Sequence, residues 1–313
     1  MKHPFSSVED YEAQPGLTRD LLKKMKLAGG FQASHLGRAA DILRTMWYDK
    51  KCTRMLSFTA DIVSTGLRGV LRQLVREGTA DMIITTCGTL DHDIARSVGE
   101  YLEGDFSFDD RELLKRGYHR LGNVLIPRQA YGPAIERFMQ KMLEEKYSSS
   151  TSPIPPHQII WEAGKRLDEK SILYWAYKKS IPVIVPGIFD GAFGSQLWLF
   201  YQSHRRFQVD MMADQQLIAD TVFSSQKLGA LILGGGISKH HTIWWAQFKS
   251  GLDFAVYVTT ATEYDGSLSG AQLREAISWS KVKPKAKQVT VIGDATVILP
   301  LLVSASLKKT GNV

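Results

Sequence analysis

The sequence predicts an α/β fold: a Rossmann-like central, mostly parallel sheet flanked by helices, with an N-terminal helical arm. Two observations support this prediction. Short apolar runs of strand length alternate with helical segments, and most of these runs end in polar or glycine-rich turns. A parallel sheet requires such alternation, because every crossover must return the chain to the same edge. Ligands are therefore expected at the carboxyl ends of the strands.

Composition narrows the class of protein. Of the 313 residues, 44% are hydrophobic and 23% charged, as in soluble globular proteins. No apolar run is long enough to span a membrane, and the first residues lack the apolar core of a secretory signal, so we expect a cytoplasmic protein. The only two cysteines, Cys52 and Cys87, are too few for a disulfide framework or a tetrathiolate metal site. The net charge of +7 permits acidic partners but does not indicate nucleic acid.

The N-terminal region is interpreted as an arm, residues 1–28, preceding a single domain of residues 29–313. Thr18–Leu27 is predicted to form a helix that Gly29 and Gly30 end. The amphipathic stretch GGFQASHLGRAADIL opens the next helix.

The remaining elements follow from apolar periodicity and turn residues. Predicted strands are Met55–Phe58, the strand and turn Asp81–Gly88, Ile181–Pro186, Leu228–Gly234, Phe254–Val258 and Val289–Ile292. Predicted helices are Leu67–Glu77, one from Leu90, Tyr131–Lys146, Gln272–Trp279 and a C-terminal helix with Pro300 in its first turn. Leu121–Pro127 is a short apolar stretch, and residues 147–156 are a surface loop by composition.

The stretch from Gly234 to Lys281 carries the most chemical information. Three glycines follow an apolar run, which suits either a tight turn or close approach of backbone to a phosphate. The segment GGGISK matches neither the phosphate loop GxxxxGK[ST] nor the dinucleotide motif GxGxxG. The glycines alone therefore leave both interpretations open.

Three side chains in this stretch are candidates for chemistry. His240 and His241 point about 100° apart on a helix, which is poor geometry for one metal ion, so no metal site is expected. A lysine such as Lys281 becomes a nucleophile only when its amine is neutral, and Trp279 could supply an apolar wall. Glu275 shares one face of the predicted helix with Trp279. Taken alone, Lys281 is interpreted more readily as a surface lysine.

Lysines alternate at positions 281, 283, 285 and 287, as on an extended surface segment. The pattern is typical of a solvated face. The sharper interpretation is a docking surface for an acidic protein.

Three long motifs resemble the deoxyhypusine synthase family: LGGGISKHH, AVYVTTATEYDGSLSGA and REAISWSK. The resemblance extends from about Gly29 to Leu302. It implies NAD-dependent transfer of the aminobutyl group of spermidine, through an enzyme-lysine imine, to a lysine of the precursor of translation initiation factor 5A. It also implies a homotetramer with active sites between subunits and an N-terminal segment that caps a neighbouring active site.

The resemblance assigns roles to residues. Lys281 would be the nucleophile, with His240 as proton carrier or orienting group. The residues implied in cofactor binding are Ala60, Asp61, Ile62, Val63, Ser64, Thr86, Cys87, Gly88, Asp190, Gly235, Thr260, Ala261, Asp294 and Ala295. The residues implied in substrate binding are Asp91, His92, His240, Gly266, Ser267, Glu275 and Trp279.

Two alternatives remain at this point: a homospermidine-synthase-like enzyme with a diamine acceptor, and a catalytically silent NAD-binding homologue. The chain also departs from the family. His92, Ser195 and Leu268 stand where the eukaryotic form carries acidic residues. Because a buried ammonium needs carboxylate partners, we expect an altered polyamine preference.

Overall fold

The computed structural model of the protein describes residues 5–308. Its strands and helices alternate along most of the chain. The strands are β1 (Cys52–Phe58), β2 (Met82–Ile84), β3 (Leu102–Glu103), β4 (Tyr118–Leu121), β5 (Val124–Pro127), β6 (Val183–Ile184), β7 (Lys227–Leu233), β8 (Leu252–Thr259) and β9 (Val282–Ile292). The helices are α1 (Arg19–Ala28), α2 (Phe31–Tyr48), α3 (Leu67–Arg76), α4 (Cys87–Val98), α5 (Asp110–Lys115), α6 (Gly132–Tyr147), α7 (Pro156–Lys165), α8 (Ile172–Lys178), α9 (Ala192–Ser203), α10 (Met211–Ser224), α11 (Gly236–Gln247) and α12 (Ala295–Ser306).

The main sheet has six strands in the order β6-β2-β1-β7-β8-β9, and every neighbouring pair is parallel. This confirms the predicted fold class. Almost all of β7 and β8 is buried, as expected for central parallel strands covered by helices on both faces. The strand β9 lies at one edge, and β6 lies at the other.

A second, antiparallel sheet of β3, β5 and β4 was not predicted. In this region the sequence indicated only the short apolar stretch Leu121–Pro127. The other strands of this sheet are two and four residues long, too short to produce a clear alternation of apolar and polar residues.

Two predicted helices differ in the structure. Gln272–Trp279 is not an α-helix: it contains a short 3-10 turn at Glu275–Ile277, flanked by turns. The chain just before Gln272 packs closely against the start of the same loop. A Cβ on Gly270 would lie 2.0 Å from the Thr262 carbonyl oxygen. Pro300 lies in the second turn of α12, not the first, because the Asp294 cap starts the helix earlier than expected.

The helix α1 and the residues just before it pack on α12. Leu22 of α1 is buried in the main core, and the Thr18 N–H donates to the Ser304 hydroxyl of α12 at 3.2 Å. Among residues 5–308 no helix combines the length and apolarity needed to cross a bilayer.

A buried ion pair joins the helices on one face of the sheet. The Arg68 guanidinium of α3 donates to the Asp93 carboxylate of α4 at 2.7 Å, and both side chains are buried. Asp93 also accepts from the Ser171 hydroxyl at 2.6 Å and from the Leu173 N–H at 2.9 Å, at the start of α8. These additional hydrogen bonds replace the hydration that the buried carboxylate has lost.

Candidate active site

The turns after β1 and β2 lie against each other at the carboxyl edge of the sheet. Ala60–Ser64 forms a 3-10 turn after β1, and Gly88 lies in the first turn of α4. A Cβ on Gly88 would lie 2.8 Å from the Ala60 Cβ. The structure therefore brings together the segments Ala60–Ser64 and Thr86–Gly88, which the resemblance assigned to the cofactor.

Two separate structural features require glycine in the run after β7. Gly234 and Gly236 have φ angles of 75° and 67°, which favour glycine. Gly235 makes room for the loop after β8, since a Cβ there would lie 2.0 Å from the Ser269 Oγ. Gly236 alone of the three has open space where a Cβ would point, at the N-terminus of the 12-residue helix α11. The N-terminus of a helix favours negative charge, because its first N–H groups have no partner within the helix.

The ends of β8 and β9 complete this edge. Thr260 and Ala261 follow β8, and the Gly293 N–H donates to the Thr259 carbonyl at 2.9 Å. Asp294 is exposed and caps α12: its Oδ1 accepts from the Thr296 N–H at 2.7 Å and from the Thr296 hydroxyl. Its Oδ2 has no hydrogen-bond partner among the described residues.

Asp91, a candidate substrate ligand, is already engaged within the chain. Its buried carboxylate accepts from the N–H groups of Ala192 and Phe193, at 2.9 and 2.7 Å, and from the Tyr131 hydroxyl at 3.0 Å. Asp91 therefore holds the start of α9, and burial raises the pKa of its carboxyl. Asp190, just before that helix, is exposed.

His92 is likewise paired inside the chain. Its Nδ1 lies 2.8 Å from the Tyr101 hydroxyl, and its ring centroid lies 5.4 Å from that of Tyr131. Burial, with a smaller contribution from the positive charge of Arg96, lowers the pKa of His92 to about 4. The imidazole is thus neutral at neutral pH.

A second group of candidates surrounds a cavity of about 310 Å³ between α11 and the loop that joins β8 to β9. Lys281 is only 7% exposed, and its Nζ lies 5.2 Å from the ring centroid of Trp279 and 5.5 Å from that of Trp244. The prediction of an apolar wall at Trp279 missed the second tryptophan. Trp244 follows His240 by four residues, so the two side chains share one face of a helix, and this spacing was the available signal in the sequence.

His240 lies on the same wall of the cavity as Trp244. The two rings stack with centroids 5.7 Å apart at 26°. Partial burial and the nearby charge of Lys281 lower the pKa of His240, which favours the neutral imidazole at neutral pH. His241 turns away and packs against Trp245. Residues 5–308 contain no cluster of three His, Cys, Asp or Glu side chains suited to a metal ion.

Lys239 is a buried residue of this site that the sequence did not single out. Its Nζ donates to the carbonyls of Leu268 and Ala271, at 2.8 and 2.5 Å, and lies 4.0 Å from the Tyr257 ring centroid. Burial lowers the pKa of Lys239 to about 8; the charge of Lys281 adds to this effect and that of Glu275 opposes it. Glu275 lines the same cavity.

The candidate catalytic and substrate-binding residues therefore form two groups that lie far from each other within one chain. Asp91, His92 and Asp190 follow β2 and β6, whereas Lys281 directly precedes β9. Four strand spacings separate β2 from β9, about 19 Å. Gly266 and Ser267 lie on an exposed turn and do not line the cavity around Lys281.

The position of Lys281 also departs from the expectation that ligands lie at the carboxyl ends of strands. Val282 pairs with Leu252, the first residue of β8, so Lys281 lies at the amino edge of the sheet. The cavity runs along α11, which returns from the carboxyl edge, and this helix links the two edges.

A family model, similar curated sequences and one solved structure indicate the same family. The family model for deoxyhypusine synthase matches residues 20–306. A "probable deoxyhypusine synthase" of Ignicoccus hospitalis is 51% identical over 296 residues, covering 93% of this chain and 92% of the relative. One of Thermoplasma acidophilum is 51% identical over 289 residues, covering 92% and 93%. The crystal structure of a protein assigned as a deoxyhypusine synthase of Entamoeba histolytica has a TM-score of 0.62 at 26% identity, covering 92% of this chain and 91% of that one.

The pairing of His92 generates a prediction on stability. The folded protein holds His92 neutral down to about pH 4, whereas an unfolded chain binds the proton near pH 6.5. The free energy of unfolding should therefore fall as pH drops through this window. At pH 5 the shifted pKa of His92 alone should lower it by about 2 kcal/mol. Urea unfolding at pH 7 and pH 5 measures the loss. His92→Gln should show a smaller loss than the wild type, and an equal loss in both proteins would contradict the assignment.

Proposed function

The chain belongs to the deoxyhypusine synthase family, whose enzymes transfer an aminobutyl group, and from this premise we propose a specific reaction. The protein uses NAD to move the aminobutyl group of spermidine onto one lysine of the precursor of translation initiation factor 5A. The observation that carries the proposal is the setting of Lys281, buried between two tryptophan rings in a cavity shared with His240 and Glu275. The reaction is assigned to the cytoplasm.

Lys281 is the proposed nucleophile. Its amine attacks the imine carbon formed on the butyl side of spermidine's secondary nitrogen. A bond forms between Nζ and that carbon, the bond from carbon to the old nitrogen breaks, and diaminopropane leaves. The acceptor lysine then displaces Lys281 in the same way. The position of Lys281 supports this role, because its amine lies between the two tryptophan rings in the same cavity as His240, which can accept the proton that the amine must lose to attack.

His240 and Glu275 are proposed to serve the amines. The lowered pKa of His240 leaves an imidazole nitrogen free to take a proton from the attacking amine and return it to the leaving one. Glu275 supplies a carboxylate at the cavity that can pair with a charged end of the polyamine. Trp279 and Trp244 offer ring faces to the aliphatic chain and its ammonium group.

The residues at the carboxyl edge fit a dinucleotide. The open side of Gly236 at the start of α11 suits a phosphate, and the free Oδ2 of Asp294 suits ribose hydroxyls. When bound, NAD would accept a hydride from spermidine and return it after the acceptor lysine has reacted. The chain would hold it through the segments after β1, β2, β7, β8 and β9, with Asp190 beside them.

A homotetramer with sites between subunits would unite the two groups of candidates. A second copy could bring the β2–β6 end of its sheet, with Asp190, to the cavity around Lys281. Exposed apolar side chains support such packing: Trp198 on α9, Met212 on α10 and Phe248, just after α11, are all at least half exposed in one chain.

The first prediction on the reaction concerns the nucleophile. Lys281→Ala should abolish transfer to the acceptor protein while NAD still binds. Lys281→Arg should fail equally, since a guanidinium stays protonated and cannot attack. Transfer is measured with labelled spermidine, with and without acceptor protein and with putrescine as a competing acceptor. Lys165→Ala, an exposed lysine on α7, is the control. Full transfer by Lys281→Ala would exclude the assignment, and labelled homospermidine instead of labelled protein would reveal a diamine acceptor.

A second prediction concerns cofactor choice. The Asp294 carboxylate should repel a 2′-phosphate, so NAD should bind more tightly than NADP. Asp294→Asn keeps an oxygen for the α12 cap but removes the charge. Titration calorimetry at fixed salt should show the preference shrinking in this variant while the melting temperature changes little. Comparable affinities of the wild type for the two cofactors would refute the prediction.

The third prediction concerns the polyamine. His92 is paired with Tyr101, Ser195 donates to the Gly191 carbonyl, and Leu268 lines the cavity, so none supplies the expected carboxylate. We expect weaker spermidine binding than in a eukaryotic enzyme, or use of another polyamine. A panel of polyamines, assayed by NADH formation and amine release, tests this. Tight and exclusive use of spermidine would mean that other groups compensate.

A further inference from the structure

The starts of the parallel strands form a basic surface that the proposed reaction does not yet use. Lys50 and Lys51 precede β1, Lys227 begins β7, and Lys285 and Lys287 lie on β9. We call these five lysines the basic edge. Lys50, Lys51, Lys285 and Lys287 are exposed, and none of these four has an ion-pair partner among the described residues.

One part of this surface has an ordinary explanation. The strand β9 is at the edge of the sheet, and it bulges there: only Asp253 of β8 lies opposite residues 283–286. A bulge, Pro284 and lysines are the usual protection of an edge strand against pairing with another chain. Edge protection alone therefore accounts for Lys285 and Lys287.

Edge protection does not account for Lys50 and Lys51. They lead into β1, which is paired on both sides by β2 and β7 and has no free edge. They line a cavity of about 600 Å³ at the amino edge, together with Asp49, Arg54 and Lys308. Three strand spacings, about 14 Å, separate β1 from β9, so the basic edge fits within one ordinary protein contact.

The basic edge is also continuous with the reactive lysine. Lys281 directly precedes β9, two residues before Lys283, and its carbonyl accepts from the Leu252 N–H at 3.1 Å. A protein that offers its own lysine to the cavity must approach this edge. Carboxylates lie among the basic residues: Asp49 pairs with Lys227, Asp253 with Lys283 and Asp81 with Arg54. These ion pairs interrupt the positive charge along the edge, so the surface lacks the continuous run of cations that a phosphate backbone binds, which favours a protein partner over RNA.

We propose that the basic edge docks an acidic surface of the acceptor protein beside its reactive lysine. This inference rests on the proposed function, and it identifies how that site recognises its partner. Complementary charge would speed encounter and orient the acceptor, so its effect should appear in acceptor binding and fade with salt. Chemistry on spermidine would not depend on it.

The test uses two charge reversals in the full-length enzyme: Lys285→Glu with Lys287→Glu, and Lys50→Glu with Lys51→Glu. Glutamate keeps an edge strand charged, so edge protection survives in the first pair. The control is Lys165→Glu with Lys170→Glu, two exposed lysines without ion-pair partners at the turn between α7 and α8. Since α8 leads to the start of β6, that turn lies at the opposite end from the amino edge.

Three readouts separate the possibilities: diaminopropane release without acceptor, KM for the acceptor in the full reaction, and anisotropy of labelled acceptor at low and high salt. Each edge variant should raise the KM and the dissociation constant for the acceptor about tenfold at low salt. The control should match the wild type, and diaminopropane release should be unchanged in all three.

An unchanged acceptor KM in both edge variants would overturn the proposal and leave edge protection as the role of β9. Loss of binding to a labelled RNA with acceptor binding intact would assign the surface to nucleic acid and also overturn it. A wild-type enzyme that releases no diaminopropane would refute the proposed reaction instead. The anisotropy measurement would still decide docking in that case.

Discussion

The candidate active site depends on one buried lysine, Lys239, which fastens the long loop between β8 and β9. The backbone hydrogen bonds within the loop close local turns, such as the one from the Ala271 N–H to the Leu268 carbonyl at 3.2 Å, and do not themselves attach the loop to α11. Lys239 donates to two of its carbonyls, and the Tyr257 hydroxyl donates to a third, that of Ser269, at 2.6 Å. Only with the loop held against α11 do Glu275, Trp279 and Lys281 line the same cavity as His240.

Burial of Lys239 is costly, and the structure offsets the cost locally. A lysine that is 1% exposed loses nearly all of its hydration, which is why its pKa falls. Two carbonyls, the face of the Tyr257 ring and the charge of Glu275 replace part of that hydration. The same arrangement places two amines in one small region. The positive charge of Lys281 contributes to the lowered pKa of Lys239.

The division of candidates between two ends of one sheet explains why a single chain holds an incomplete constellation. Strand order places β9 and the β2–β6 end on opposite sides of β1, β7 and β8, and no local rearrangement can bring them together. Asp91 and His92 are, moreover, engaged in the chain's own packing, with the start of α9 and with Tyr101. In the proposed assembly, a polyamine would meet mainly Glu275 and the tryptophan faces of one subunit, and a neighbouring copy would contribute the further groups.

The sequence determined the fold class, the main strands and the helices α1, α3 and α6, because these depend on local apolar periodicity and on turn residues. Its long motifs were enough to indicate the family, and they singled out Lys281, His240, Glu275 and Trp279, which the structure gathers around one cavity. The tertiary structure decided the rest. The predicted helix Gln272–Trp279 gave way to turns, within which the Leu273 N–H donates to the Thr290 hydroxyl of β9 at 3.4 Å, a tertiary contact that local helix preference does not foresee. The roles of Lys239 and Asp91 could not be read from the sequence, since each depends on partners that lie far along the chain. Parallel strand order, which joins residues remote in sequence, placed Lys281 at the amino edge of the sheet and most cofactor candidates at the other.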